Sequence, residues 1–189
     1  HFPTDFTGAV VDSNQYSSGQ ATTLGLEASR RLSPRVEVRL HADSRRELSH
    51  AVNGPDSPGD VDFFSDNAGR SLRRSVSASA DLRLADGVRV IGGADAVFES
   101  LLESGSSGAF DTTRHNYGLF SQGLIDLGER TTVNVGTRLD QNQRFGTHVT
   151  VRAGAAYRIT GSLRARGSIG TSFKEPSLRE NYAQGLFER

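Results

Sequence analysis

Apolar and polar residues alternate with a period of two along most of this chain. The clearest stretch is 149–159, where Val149, Val151, Ala153, Ala155, Tyr157 and Ile159 take the odd positions and Thr150, Arg152, Gly154, Ala156 and Arg158 the even ones. That period puts the two sets on opposite sides of a β-strand, whereas a helix needs apolar residues to recur every three or four positions. The pattern resumes after Thr160 and Gly161 as Leu163, Ala165, Gly167, Ile169, Thr171 and Phe173, opposed by Arg164, Arg166, Ser168, Gly170, Ser172 and Lys174. Two alternating runs joined at a glycine predict a tight hairpin.

Three more hairpins are predicted upstream. Leu24, Leu26 and Ala28 lead through Ser33 and Pro34 to Val36, Val38, Leu40 and Ala42. Val76, Ala78, Ala80, Leu82 and Leu84 lead through Asp86 and Gly87 to Val88, Val90, Gly92, Ala94, Ala96 and Phe98. Tyr117, Leu119, Ser121, Gly123, Ile125 and Leu127 lead through Gly128, Glu129 and Arg130 to Val133, Val135, Thr137 and Leu139. Phe120 and Leu124 fall on the polar side of their strand, and Arg74 falls on the apolar side near a strand end, where its guanidinium can snorkel to an interface.

Connection lengths also alternate. The joins just named are short, while 49–69, 104–111 and the segment beyond Lys174 read as long; the join at 144–147 is a brief exception. Several runs last about 12 to 16 residues, well above the usual globular strand and enough for a tilted membrane strand. Short turns on one rim, longer loops on the other, and Tyr117, Tyr157, Phe98 and Phe173 near strand ends as interface girdles describe an outer-membrane barrel. The opposite face would line a wet lumen with Arg152, Arg158, Arg164 and Arg166, residues too costly to bury in the core of a β-sandwich.

Composition agrees with this picture. Hydrophobic residues make up only 35% and aromatics 7% of the 189 residues, with 21 Gly and no Trp, Cys or Met. Mean hydropathy is −0.45. A dense aqueous core is hard to build from such a chain, which leaves partial disorder or a protein with one face in lipid and the other in water. Lys+Arg and Asp+Glu balance at 22 each, so no net field recruits nucleic acid. The chain starts at His1 with no signal segment and has no apolar run near the roughly 18 residues of a membrane helix, so a fragment spanning by strands is expected.

Candidate chemistry is sparse. Asp56, Asp60, Asp62, Asp66 and Asn67 offer hard oxygen ligands suited to calcium, but their spacing does not match a calcium-binding loop, and a solvated acidic loop is the more ordinary reading. Phe63 and Phe64 beside them either meet a ligand at an extracellular loop tip or pack the loop against its neighbours. Asp60, Asp62, Phe63, Phe64 and Asp66 are therefore the candidate ligand-facing residues. His1, His41, His50, His115 and His148 lack metal-ligand spacing, and Gly105-Ser106-Ser107-Gly108 lacks the Lys of a phosphate loop. No catalytic residue, cofactor site or metal site is expected.

One stretch carries a family resemblance. Gly136-Thr137-Arg138-Leu139-Asp140, then Phe145-Gly146, Ala155-Ala156-Tyr157, Gly170-Thr171-Ser172-Phe173-Lys174-Glu175-Pro176-Ser177-Leu178 and Glu180-Asn181-Tyr182 resemble TonB-dependent receptors of the vitamin B12 and siderophore type, with Glu175 where Ala is usual. The sharp resemblance covers about 133–182. It implies a 22-stranded barrel filled by an N-terminal plug, energised by TonB, that takes up a small extracellular ligand such as a corrinoid or ferric siderophore across the outer membrane of a Gram-negative-type bacterium. No stretch resembles a plug or a TonB box. Residues 1–189 are accordingly expected to be a partial barrel domain, an all-β, antiparallel up-and-down transmembrane barrel present as an open, curved sheet of about nine strands. Outer-membrane lipid would be its surroundings, and the plug and TonB would be reached through the missing N-terminal part. Without the motif, Pro176 marks the strand end, and Lys174, Glu175 and Arg179 sit at a solvated rim. A passive porin or adhesin barrel and a soluble repetitive glycan-binding β protein are the competing classes.

Overall fold

The computed structural model describes residues 14–55, 65–105 and 108–178. Eight antiparallel strands form one sheet in chain order. They are β1 (Gln15–Ser33), β2 (Val36–Asn53), β3 (Ser65–Ala85), β4 (Val88–Gly105), β5 (Gly108–Leu127), β6 (Thr131–Asn142), β7 (Gly146–Arg158) and β8 (Arg164–Gly170). Every strand pairs with its sequence neighbour, and β1 and β8 do not meet, so the sheet is an open up-and-down meander of eight described strands where about nine were expected. Glycine makes two of the short turns: Gly87 and Gly128 adopt φ of 73° and 69°, a region that side chains with a Cβ disfavour.

Alternation fixes the two faces. Register places Leu40 opposite Ala78, Ala78 opposite Ala94, Ala94 opposite Leu119 and Leu119 opposite Leu139, an uninterrupted aliphatic row across five strands. The aliphatic runs at 76–84, 88–98 and 117–127 are about 9 to 11 residues long, the length a tilted strand needs to cross a hydrocarbon core. Burial is inverted relative to a water-soluble fold. On the aliphatic face Ile169 is 79% and Leu26 71% exposed, whereas the buried side chains Asp81, Leu101, Arg114 and Asn142 all stand on the opposite, polar face.

Three connections differ from expectation. β4 and β5 stay paired as far as Gly105 opposite Gly108, so the join read as 104–111 is no long loop. Arg74 is not near a strand end: β3 continues from it to Ser65, because β2 and β3 stay paired as far as Asn53 opposite Ser65. The last strand stops at Gly170 rather than at Pro176. There the Thr171 side chain replaces a ladder group: its Oγ1 accepts from Val151 N at 3.0 Å while Thr171 N donates to Val151 O at 2.9 Å. Phe173, expected in the lipid-facing girdle, instead stacks on His148 with ring centroids 3.6 Å apart.

Candidate functional site

The polar face is a knitted wall from β2 to β5. Asp43 accepts from the Ser75 hydroxyl across the β2/β3 pair. Arg73 lies between two carboxylates, 3.9 Å from Asp43 and 3.6 Å from Glu99. Glu99 Oε2 in turn accepts from Arg114 Nε at 3.1 Å and Nη2 at 2.6 Å. Nearer the short turns, Arg89 clasps Asp81 with two of its nitrogens. A charge-assisted bond of this kind is stronger than a neutral one, and each removes a charge that would otherwise stand alone on a partly dry wall.

Glycines on this face make room for long side chains from the next strand. Arg138 on β6 reaches over β5 to Asp95 on β4, donating at 2.7 Å and 2.9 Å, while its Nε donates to Asp140 at 2.9 Å. The residue it crosses is Gly118, which pairs with Asp95 on one side and Asp140 on the other. A Cβ there would stand 2.7 Å from Arg138 Cζ and 2.8 Å from Asp95 Oδ1. Phe120, the aromatic that breaks the alternation, likewise lies over Gly93, where an added Cβ would come within 2.7 Å of its ring.

The segment that leaves the sheet after Gly170 returns across this wall. Glu175 accepts from Asn116 Nδ2 at 2.6 Å, and the Pro176 carbonyl accepts from Arg114 Nη1 at 2.7 Å. Glu175 keeps only 18% of its side-chain exposure, so it is not the solvated rim residue expected, and Arg179 lies outside the described residues. Ser177 and Leu178 then roof a cavity of about 810 Å³ over β1–β4, walled by Glu47, Arg73, Glu99 and Leu101 among others. Sequence reasoning missed this anchor, since Arg114 and Pro176 are 62 positions apart and nothing local couples them.

Of the candidate ligand-facing residues, Asp60, Asp62, Phe63 and Phe64 lie outside the described residues, as do Asp56 and the rest of 56–64. Asp66 stands at the start of β3, 2.7 Å from His50 Nε2, with Tyr16 edge-on to the same imidazole at 6.1 Å. Arg152, Arg158, Arg164 and Arg166 share the polar face as expected, but no carboxylate pairs with them among the described residues.

An open antiparallel wall, apolar and exposed on one face and polar on the other, with the polar charges of β2–β5 paired among themselves, defines a sector of an outer-membrane-type β-barrel. The chain belongs to the TonB dependent receptor-like β-barrel family, whose model matches residues 2–187. That is a family of receptors and transporters, as the motif resemblance implied. Over 100 residues the chain is 28% identical to the vitamin B12 transporter BtuB of Photobacterium profundum, a match covering 53% of this chain and 16% of that protein. Among solved structures the copper transporter OprC superposes with a TM-score of 0.64 at 16% identity, covering 83% of this chain and 31% of that one. The RagAB peptide transporter superposes with a TM-score of 0.60 at 13% identity, covering 83% and 23%. The chain thus spans well under half the length of these relatives, and the low identities to solved structures speak for the fold.

Proposed function

We propose that this chain supplies part of the barrel wall of a TonB-dependent transporter in the outer membrane of a Gram-negative-type bacterium, within a gene product that also carries a plug and engages TonB. The observation that carries this reading is the pairing of a lipid-suited exposed face with a polar face whose carboxylates on β2–β5 are held by arginines and hydroxyls of the wall itself. A wall of that kind keeps a wet interior polar without making the sheet depend on the cargo, so a plug can move past it. The ligand class favoured is a corrinoid, because a sequence relative that is 28% identical over 100 residues is a vitamin B12 transporter. A ferric siderophore is the second choice, from the motif resemblance. Asp60, Asp62, Phe63, Phe64 and Asp66 contribute ligand-facing positions on the long-loop rim.

The test is uptake of labelled cyanocobalamin, and separately of ferric siderophores, into cells expressing the full gene product. Uptake should require TonB and an energised inner membrane, and replacing the five loop residues together should raise the half-saturating concentration about tenfold, roughly what losing one good contact costs. Uptake or ion conductance that persists undiminished without TonB would instead establish a passive porin.

A further inference from the structure

Above its aliphatic band the lipid-facing side of β2 and β3 changes character within one row. Val76 and Ala42 pair at the top of the band, and the next outward row reads Ser44, Arg74, Phe98, His115. Phe98 meets Tyr117 edge-on at 6.2 Å, an aromatic pair at the level where a bilayer gives way to headgroups. Immediately beyond, Arg46 pairs with Leu72, and Arg70 with Leu48. Arg46 therefore stands diagonally between Arg70 and Arg74, about 7 to 8 Å from each by sheet geometry. All three side chains are exposed, and no carboxylate pairs with any of them among the described residues.

Their neighbours on the polar face behave differently. Arg45 pairs with Glu47, and Arg73 lies between Asp43 and Glu99. Two Arg-Arg pairs, at 45–46 and 73–74, each send one guanidinium to the carboxylates inside and one to the bare outer surface. Three guanidiniums clustered on an outward surface, without a carboxylate partner among the described residues, offer a ready seat for an anionic ligand. Because the cluster is continuous with the lipid-facing band, that seat lies at headgroup depth. Guanidinium matches phosphate geometry through paired N–H donors, and basic residues beside a bilayer gain attraction from anionic lipid.

We infer that Arg46, Arg70 and Arg74 form a binding site for the phosphate groups of an anionic lipid on the long-loop side of the membrane. The inference rests on the outer-membrane reading above. The surrounding residues suit such a ligand, since Leu72 and Leu48 present apolar surface between the arginines, and Phe98 with Tyr117 can receive the upper part of an acyl chain.

The test uses the full gene product folded in detergent, titrated by native mass spectrometry with diphosphoryl lipid A and with the same lipid after enzymatic dephosphorylation. The phosphorylated lipid should bind at least tenfold more tightly, and the triple variant Arg46→Gln, Arg70→Gln, Arg74→Gln should erase that preference. Arg46→Gln alone should reduce it by a few fold, and a polar-face control, Arg152→Gln with Arg166→Gln, should leave it intact. Equal binding of the two lipids by the unsubstituted protein, a preference retained in the triple variant, or a change of oligomeric state as the triple variant's only effect would overturn the site. Insertion into preformed lipid vesicles, read as a heat-modifiable gel shift, separates the two readings. A protein that inserts without phosphate preference loses only this site, and one that fails to insert loses the barrel reading with it.

Discussion

The polar faces of β2–β5 and of β7–β8 are drawn from similar residues and end in opposite electrostatic states. On β2–β5, Asp43, Asp81, Asp95 and Glu99 each meet an arginine or a hydroxyl, and the returning segment adds Glu175 near Arg114. On β7–β8, Arg152, Arg158, Arg164 and Arg166 face the same way with no carboxylate partner among the described residues, and Arg158 stands directly opposite Arg164. The carboxylates of the first sector are engaged by the wall itself, so they act as internal fastenings. The second holds uncompensated positive charge, which water screens and which an acidic body inside the barrel would find favourable. Formal charge balance over the whole chain hides this division.

If the comparison is right, the largest effect comes from the buried end of the knitted sector. Arg114→Ala removes the one group that holds both Glu99 and the Pro176 carbonyl. It should destabilise the folded protein by about 3 kcal/mol, the low end for breaking a buried pair, because Glu99 keeps 24% exposure and water recovers part of the loss. Urea unfolding from lipid vesicles measures this, and limited proteolysis should show new cleavage within 171–178. The matched change in the open sector, Arg152→Ala, should stay within about 0.5 kcal/mol. Equal effects at the two positions would erase the distinction.

A smaller effect tests the crossing at Gly118. Gly118→Val places branched carbon where Arg138 passes over β5 to Asp95 and should cost about 1 to 3 kcal/mol as overpacking. The sharper readout is coupling. With Arg138→Ala already present the valine has less to displace, so the double variant should fall short of the summed single effects by at least about 0.5 kcal/mol. Simple additivity would mean that the glycine serves some other purpose.

How much of this could be read from the chain alone divides along the same line. Alternation displayed both faces, and it placed even the exceptions correctly: Phe120 and Leu124 do stand on the polar side. The short turns at Asp86-Gly87 and Gly128-Arg130 were legible because a glycine must supply the positive φ. Strand ends were not, because termination depends on partners. β8 stops where the Thr171 hydroxyl engages Val151, six residues before the proline that local rules single out. Nor could a two-residue period announce that Arg138 bypasses its neighbouring strand. That contact joins residues 43 positions apart, and it needed the register of three strands to bring a glycine between them. The pattern G-x-R-x-D around Gly136 was visible as a motif, whereas the reason for its Arg and Asp, a fork between two carboxylates, was not.

The smallest predicted effect probes the open sector from the other side. Arg158 and Arg164 oppose each other with no carboxylate between them, and like charges directly across a ladder repel. Arg158→Ser should therefore leave the fold unchanged or stabilise it by a few tenths of a kcal/mol, a gain that shrinks as salt is raised from 0.05 to about 0.5 M because screening already weakens the repulsion. The same measurement on Arg89→Ser, which deprives Asp81 of its clasp, should run the opposite way and depend less on salt, since Asp81 keeps only 9% of its side-chain exposure. Opposite signs and unequal salt dependence for two arginines on one face would establish that the wall is divided between charges that hold the sheet together and charges that the sheet merely carries.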